Sequence, residues 1–251
     1  MLKSFLTAVC LIFCFAISVH GQSETYYSRL NTFSAYVGYS DTSSHIRWGV
    51  SRKRRLVTVG GAYARRFNAP HWFNWTPYAS VFYEVEAAPL NFIEDEVATD
   101  TIAVTGYAPG TYTTAIDRLC VPYNDTFAGN PATGAPAFTA TRSCSMRWTY
   151  MGGASPVGFR VNLRPRHRLQ PFVDSHLGFL VATRDVPVDK SSSMNFTFEF
   201  GAGVEMYRNE GRSVALEYRL HHLSNAYAGF NNPGVDNQII KLTYSFGGIR
   251  N

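Results

Sequence analysis

The stretch Phe196-Thr197-Phe198-Glu199-Phe200-Gly201-Ala202-Gly203-Val204-Glu205-Met206 decides the fold. Its apolar residues fall on every second position, and glutamate, glycine or threonine fills the positions between. Successive side chains of a β-strand point to opposite faces, so this segment has one apolar face and one polar or small face. A helix would scatter the same residues around its circumference. Outward from this stretch the pattern recurs. Phe33, Ala35, Val37 and Tyr39 alternate with Ser34, Tyr36 and Gly38; Val81, Tyr83 and Val85 with Ser80, Phe82, Glu84 and Glu86; Val157, Phe159, Val161 and Leu163 with Gly158, Arg160, Asn162 and Arg164. Less regular runs at 55–67, 169–184, 213–224 and 236–247 bring the expected number of strands to eight.

Alternation alone does not separate a soluble sandwich from a membrane barrel, because each buries one face. Composition and connection lengths do. Aromatic residues make up 15% of the chain and charged residues 16%, against about 25% charged in ordinary soluble domains. The links around Arg166 and around Asn209-Glu210-Gly211 are tight, whereas the links at the other end are long. Short turns at one end and long loops at the other characterise a transmembrane barrel. The expected fold is therefore all-β: an eight-stranded antiparallel transmembrane outer-membrane β-barrel with one long extracellular loop insertion at about 88–150. Within the insertion, the Gly-, Pro- and Ala-rich run from Ala128 to Pro136 reads as irregular. In this phasing Glu84, Arg160, Arg164, Glu199, Glu205, Glu217 and Arg219 pair inside the lumen. His221, His176 and Asp174 belong to an interior network, and Trp72, Trp75 and Tyr78 to an interfacial belt.

The chain begins Met1-Leu2-Lys3, runs apolar from Phe5 to Val19 and reaches Val19-His20-Gly21. The run is shorter than the roughly 20 residues of a membrane helix and ends in small residues, so residues 1–21 read as a secretory signal peptide and 22–251 as a single barrel domain. Cys10 and Cys14 leave with the signal. Cys120 and Cys144 remain in an oxidising compartment, where a disulfide is expected. No metal-ligand spacing and no Gly-rich phosphate loop occurs, so no metal and no cofactor is expected. The net charge of +5 suits an anionic lipid surface in an exported protein, and nucleic acid is not an expected partner. Arg52, Lys53, Arg54 and Arg55 form either a solvated charge run or a site for lipid phosphates at the outer leaflet.

The chemistry lies in the last hairpin, His221-His222-Leu223-Ser224-Asn225 followed by Asn232-Pro233-Gly234-Val235-Asp236. Val214, Leu216, Tyr218 and Leu220 put His222 and Ser224 on the apolar face, and Ile240, Leu242, Tyr244 and Phe246 put Asp236 there too. Polar groups facing lipid are costly unless they are paired or used. A serine and a histidine two positions apart share a face, and an antiparallel neighbour can present a carboxylate to the other imidazole nitrogen. That is the nucleophile, base and orienter of an acyl-transfer enzyme. Asn232 and the backbone amides near Tyr227 and Ala228 are the expected oxyanion donors.

The string His222-Leu223-Ser224-Asn225, then Asn232-Pro233-Gly234 with an acidic residue shortly after and an aromatic-rich terminal strand, resembles the C-terminal signature of the PagL family of lipid A 3-O-deacylases. The resemblance implies an eight-stranded barrel in the bacterial outer membrane that hydrolyses an ester-linked hydroxyacyl chain of lipopolysaccharide without a metal. It matches the family's catalytic histidine to His222, its serine to Ser224, its oxyanion asparagine to Asn232 and the asparagine after the serine to Asn225. The acidic member, commonly glutamate, is matched by Asp236. The 88–150 insertion and the tail after Phe246 depart from the family's compact form. Two alternatives stand beside this reading: a non-catalytic barrel acting as adhesin or receptor, and a phospholipid esterase of the same barrel type. Homodimerisation is left open by the sequence.

Overall fold

The computed structural model describes residues 30–41, 54–67, 78–116, 119–209 and 211–247. The expected signal peptide, Arg52, Lys53, Trp72 and Trp75 lie outside them. Ten strands follow in order: β1 (Asn31–Ser40), β2 (Arg55–Arg66), β3 (Ala79–Val104), β4 (Gly110–Ala115), β5 (Tyr123–Phe127), β6 (Phe138–Leu163), β7 (Leu169–Val186), β8 (Ser192–Asn209), β9 (Arg212–Ser224) and β10 (Val235–Phe246). Neighbouring strands pair antiparallel in the order β4-β3-β2-β1-β10-β9-β8-β7-β6-β5, and β3 also pairs with β6. That last pairing closes β3, β2, β1, β10, β9, β8, β7 and β6 into the expected ring of eight.

The barrel is inside out relative to a soluble protein. Phe196, Phe198, Phe200, Ile240, Leu242 and Tyr244 are exposed on its outer wall, while Glu86, Asp174, Glu217, Arg219 and Lys241 are buried in its lumen. A belt of this kind far exceeds the few hundred Å² of contiguous apolar surface that water-soluble proteins expose, and lipid is the solvent that suits it. The charged lumen is paired. Arg219 meets Glu86 at 2.9 Å and Asp174 at 3.4 Å, and it also contacts Glu199 and Glu217. Arg160 meets Glu205 at 2.8 Å, and Lys241 bonds Glu86. The network packs against bare backbone at Gly201, where a Cβ would strike the carboxylates of Asp174 and Glu217. Arg164 is not a member of this network; it sits at positive φ in the β6–β7 turn beside His167.

Above the polar network apolar side chains fill the lumen. Leu56, Ile93, Met151, Leu180, Leu223, Val235 and Ile239 pack into an apolar plug. Leu223 lies between His222 and Ser224 and is fully buried in that plug, so the strand end carrying these two residues is anchored from inside.

The 88–150 region is not the long loop expected from its composition. β3 and β6 run on as partners from Asn91↔Met151 to Val104↔Phe138. β4 adds to the β3 edge and β5 to the β6 edge, so the insertion is a four-stranded arm standing on the barrel. Within 128–136 the only pairing is an isolated bridge, Asn130↔Ala135. On the arm, Arg142 forks onto both oxygens of Asp100 at 2.7 Å, and these bonds hold the Asp100 carboxyl below the usual carboxylate range.

β4 and β5 lie on opposite edges, so the chain between them crosses the arm. Cys120 on that crossing is disulfide-bonded to Cys144 on β6. Cross-links of this kind contribute about 2–4 kcal/mol by restricting the unfolded chain. Cys144→Ser is expected to leave the barrel folded while exposing the arm to cleavage. Limited proteolysis in detergent should cut within 105–137 of the variant at least several times faster than in the wild type, with the eight-stranded ring resistant in both.

Candidate active site

β9 and β10 carry the site where they leave the barrel on the arm's side. Their register sets Asp236 directly opposite His222. With β8 it sets Phe198 opposite His222 and Phe196 opposite Ser224. His222, Ser224 and Asp236 all share the face of the lipid-exposed residues, as their phase predicts. His222 Nδ1 and Asp236 Oδ1 are 2.6 Å apart, with the histidine side chain 23% exposed and the aspartate 3%. A carboxylate this short reaches the ring because it lies straight across the ladder. The missing methylene relative to glutamate is made up by register.

The Ser224 hydroxyl takes a different partner from the one expected. It donates to Asn232 Oδ1 at 3.0 Å, and the same oxygen accepts the Asn225 amide at 3.2 Å. Among the described residues Ser224 bonds Asn232 and not His222. The two catalytic candidates are nevertheless neighbours on one face, and His222 Nε2 is the ring nitrogen left for the serine once Nδ1 is held by Asp236.

Asn225 organises the β9–β10 loop. Its side chain donates to Asn231 O at 2.7 Å and accepts the Tyr227 amide at 2.9 Å, and its carbonyl accepts the Ala228 amide at 2.9 Å. The amides of Tyr227 and Ala228 are therefore engaged in holding the loop and are not free oxyanion donors. Asn232 has a further group to offer, its Nδ2 amide. Ala226 and Tyr227 adopt positive φ, a turn that brings Asn232 back over Ser224.

The β7–β8 connection supports this loop from outside, a contribution sequence reading did not find. Asn231 donates to Asp189 O at 3.0 Å, and the amides of Phe230 and Asn231 donate to Lys190 O at 2.9 and 3.0 Å. Loop-to-loop contacts leave no periodic signal by which they could have been recognised.

Of the two described residues of the basic run, only Arg55 keeps an exposed side chain. Arg54 is buried and paired with Asp95 at 2.7 Å, and Arg55 is paired with Glu94 at 2.8 Å. Arg54 phases into the lumen, where a surface phosphate cannot reach it. In the lumen, Glu84, Glu86 and His176 bring three ligand atoms together, but Glu86 is already bonded by Arg219 and Lys241.

Residues 124–245 match the family model described as lipid A 3-O-deacylase (PagL). Over this segment, a little under half of the chain, the sequence is similar to the PagL family. The match covers β5 to β10 and so contains the whole candidate site. Among solved structures, the outer membrane enzyme PagL is similar at a TM-score of 0.48 and 12% identity, covering 84% of this chain and 97% of that one. Neisserial surface protein A is similar at 0.43 and 10%, covering 88% and 98%. No curated protein matches the chain. The protein is a bacterial outer-membrane β-barrel, and the family that its C-terminal half resembles is one of lipid A deacylases.

Proposed function

We propose that the protein is an outer-membrane serine esterase that removes an ester-linked hydroxyacyl chain from lipid A. The observation that carries the reading is the 2.6 Å contact between His222 and Asp236 beside Ser224 on a wall otherwise made of lipid-facing apolar side chains. Asp236 keeps the Nδ1 proton of His222 in place, which leaves Nε2 as the base. When Ser224 turns from Asn232 to His222, Nε2 takes the hydroxyl proton and Oγ attacks the ester carbonyl. The tetrahedral oxyanion is met by Asn232 Nδ2, a donor of a kind whose loss typically costs about 2.7–4 kcal/mol in the barrier. Collapse expels the sugar alkoxide, which takes the proton from His222, and the acyl group stays on Ser224. A water molecule, deprotonated by His222, then releases the hydroxy fatty acid and regenerates the serine.

The site is reached sideways from the outer leaflet. Phe196 and Phe198 continue the lipid-facing wall beside Ser224 and His222, so the acyl chain remains in an apolar environment as its ester comes to Ser224. The 1–21 leader would direct the chain to export.

The test is mass spectrometry of lipid A from cells that carry the protein and cells that lack it. Loss of one hydroxyacyl chain, with the free hydroxy fatty acid recovered, is the expected result. Unchanged lipid A sinks the proposal, and fatty acid released from phospholipid instead would identify a different substrate.

A further inference from the structure

The arm does not stand clear of the barrel but touches the β7–β8 connection that supports the site. The backbone carbonyl of Ala115, the last residue of β4, accepts the Asp189 amide at 3.5 Å, and Arg147 on β6 lies 4.0 Å from the Asp189 carboxylate. Asp189 in turn accepts from Asn231, next to the asparagine that holds Ser224. Between β4 and these two loops is an open cleft of about 530 Å³, lined by Thr114, Asp189, Lys190, Asn231, Asn232 and Pro233 among others. This is the size of a ligand site. Two openings in the lumen, one beside Tyr36 and Lys241 and one beside Arg160 and Glu205, measure about 30 and 20 Å³, room for little more than water.

Asn232 belongs to both the cleft and the candidate catalytic site. An ester cleaved at Ser224 has two halves. Its acyl half is apolar and matches the phenylalanine wall of β8. Its alcohol half must leave Ser224 on the other side, toward Asn232 and the cleft. The cleft offers hydroxyl, amide and carboxamide groups, with the opposite charges of Asp189 and Lys190 side by side. Hydrogen-bonding groups without excess charge, set beside the apolar Ile116, Val188 and Pro233, suit a sugar ring, with its hydroxyl edges and C–H faces, rather than a bare anion or a second acyl chain. β4 lies wholly outside the family-matched residues 124–245, so this wall of the cleft belongs to the part of the chain that the family model leaves out.

We infer that the arm completes a glycosyl-headgroup subsite, which selects esters whose alcohol is a sugar and holds that sugar while the acyl chain lies on the barrel wall. This inference rests on the deacylase reading above and deepens it. Thr114→Trp fills the cleft, and Lys190→Ala removes a polar group from its rim. Purified variants in detergent are compared with the wild type on lipid A and on a p-nitrophenyl ester of a hydroxy fatty acid, which has no sugar. The ratio of kcat/KM for lipid A to that for the simple ester is expected to fall about tenfold or more in Thr114→Trp, through KM, and by a smaller factor in Lys190→Ala.

A ratio that stays within twofold of the wild type in both variants overturns the inference, as does an equal fall on both substrates. Binding of lipid A micelles to the Ser224→Ala protein, with and without Thr114→Trp, separates this test from catalysis. Weaker binding in the double variant supports the subsite even where turnover is slow, and equal binding overturns it. A wild-type protein that binds lipid A but cleaves neither ester overturns the deacylase reading alone.

Discussion

Ser224→Ala is expected to lower the rate of lipid A deacylation by about 10⁴–10⁶-fold while the barrel folds as before. The side chain is half-buried at the end of β9, and its strand position is fixed by Leu223 in the apolar plug rather than by its own hydroxyl. Removal of the oxygen therefore takes away the nucleophile, its bond to Asn232 and its acceptance of the Ala226 amide, all at the loop and none in the barrel wall. Asp236→Asn should cost about 10³–10⁴-fold, because an amide opposite Nδ1 neither fixes the tautomer nor stabilises the imidazolium. The two variants should also differ in kind. Asp236→Asn should still form the acyl-enzyme slowly, whereas Ser224→Ala should form none, because without the oxygen there is no nucleophile. Mass spectrometry of the released hydroxy fatty acid and of the intact protein reads both. Deacylation at near wild-type rates in Ser224→Ala would remove the serine from the mechanism. Undiminished activity in Asp236→Asn would leave the 2.6 Å contact a structural one.

How these residues could be found from the sequence is itself a matter of phase. Strand alternation persisted to the ends of β9 and β10, so counting from Val214 and from Phe246 put His222, Ser224 and Asp236 on the lipid face without knowledge of any partner. The bond from Ser224 to Asn232 was not legible, because the intervening loop has no period and its geometry depends on Asn225 satisfying several loop groups at once. The arm was hidden for a different reason. Ala87-Ala88-Pro89 interrupts β3, and Glu94-Asp95-Glu96 looks like solvated loop, yet the strand continues because its partner on β6 lies some 50 residues away. Such a partner is invisible to a local reading. Arg54 went astray similarly: in a run of four basic residues it looks exposed, but it follows β2's phase into the lumen and meets Asp95 from β3.

Arg219 is the single residue whose loss should most damage the fold. It lies on β9 in the lumen and is almost fully buried, touching Glu86 on β3, Asp174 on β7, Glu199 on β8 and Glu217 on its own strand. Lys241 bonds Glu86 and lies 3.7 Å from Glu217, and among the described residues no second arginine forms an ion pair with Asp174 or Glu199. Arg219→Met keeps most of the volume but leaves four carboxylates facing one ammonium in a space too small to hydrate them. Removal of one partner from a buried ion pair typically costs about 3–5 kcal/mol, and here several are stranded together. The variant should therefore fail to form a compact barrel, which is read as loss of the heat-modifiable fast-migrating band in cold gel electrophoresis. Replacing Glu86 and Glu217 with glutamine in the same chain removes two stranded charges and should recover part of that band. If Arg219→Met alone folds as well as the wild type, the lumen is wet enough to solvate its carboxylates and does not depend on the arginine. In that case the rigidity of β9, which presents His222 and Ser224 to the membrane, must come from the apolar plug around Leu223 alone.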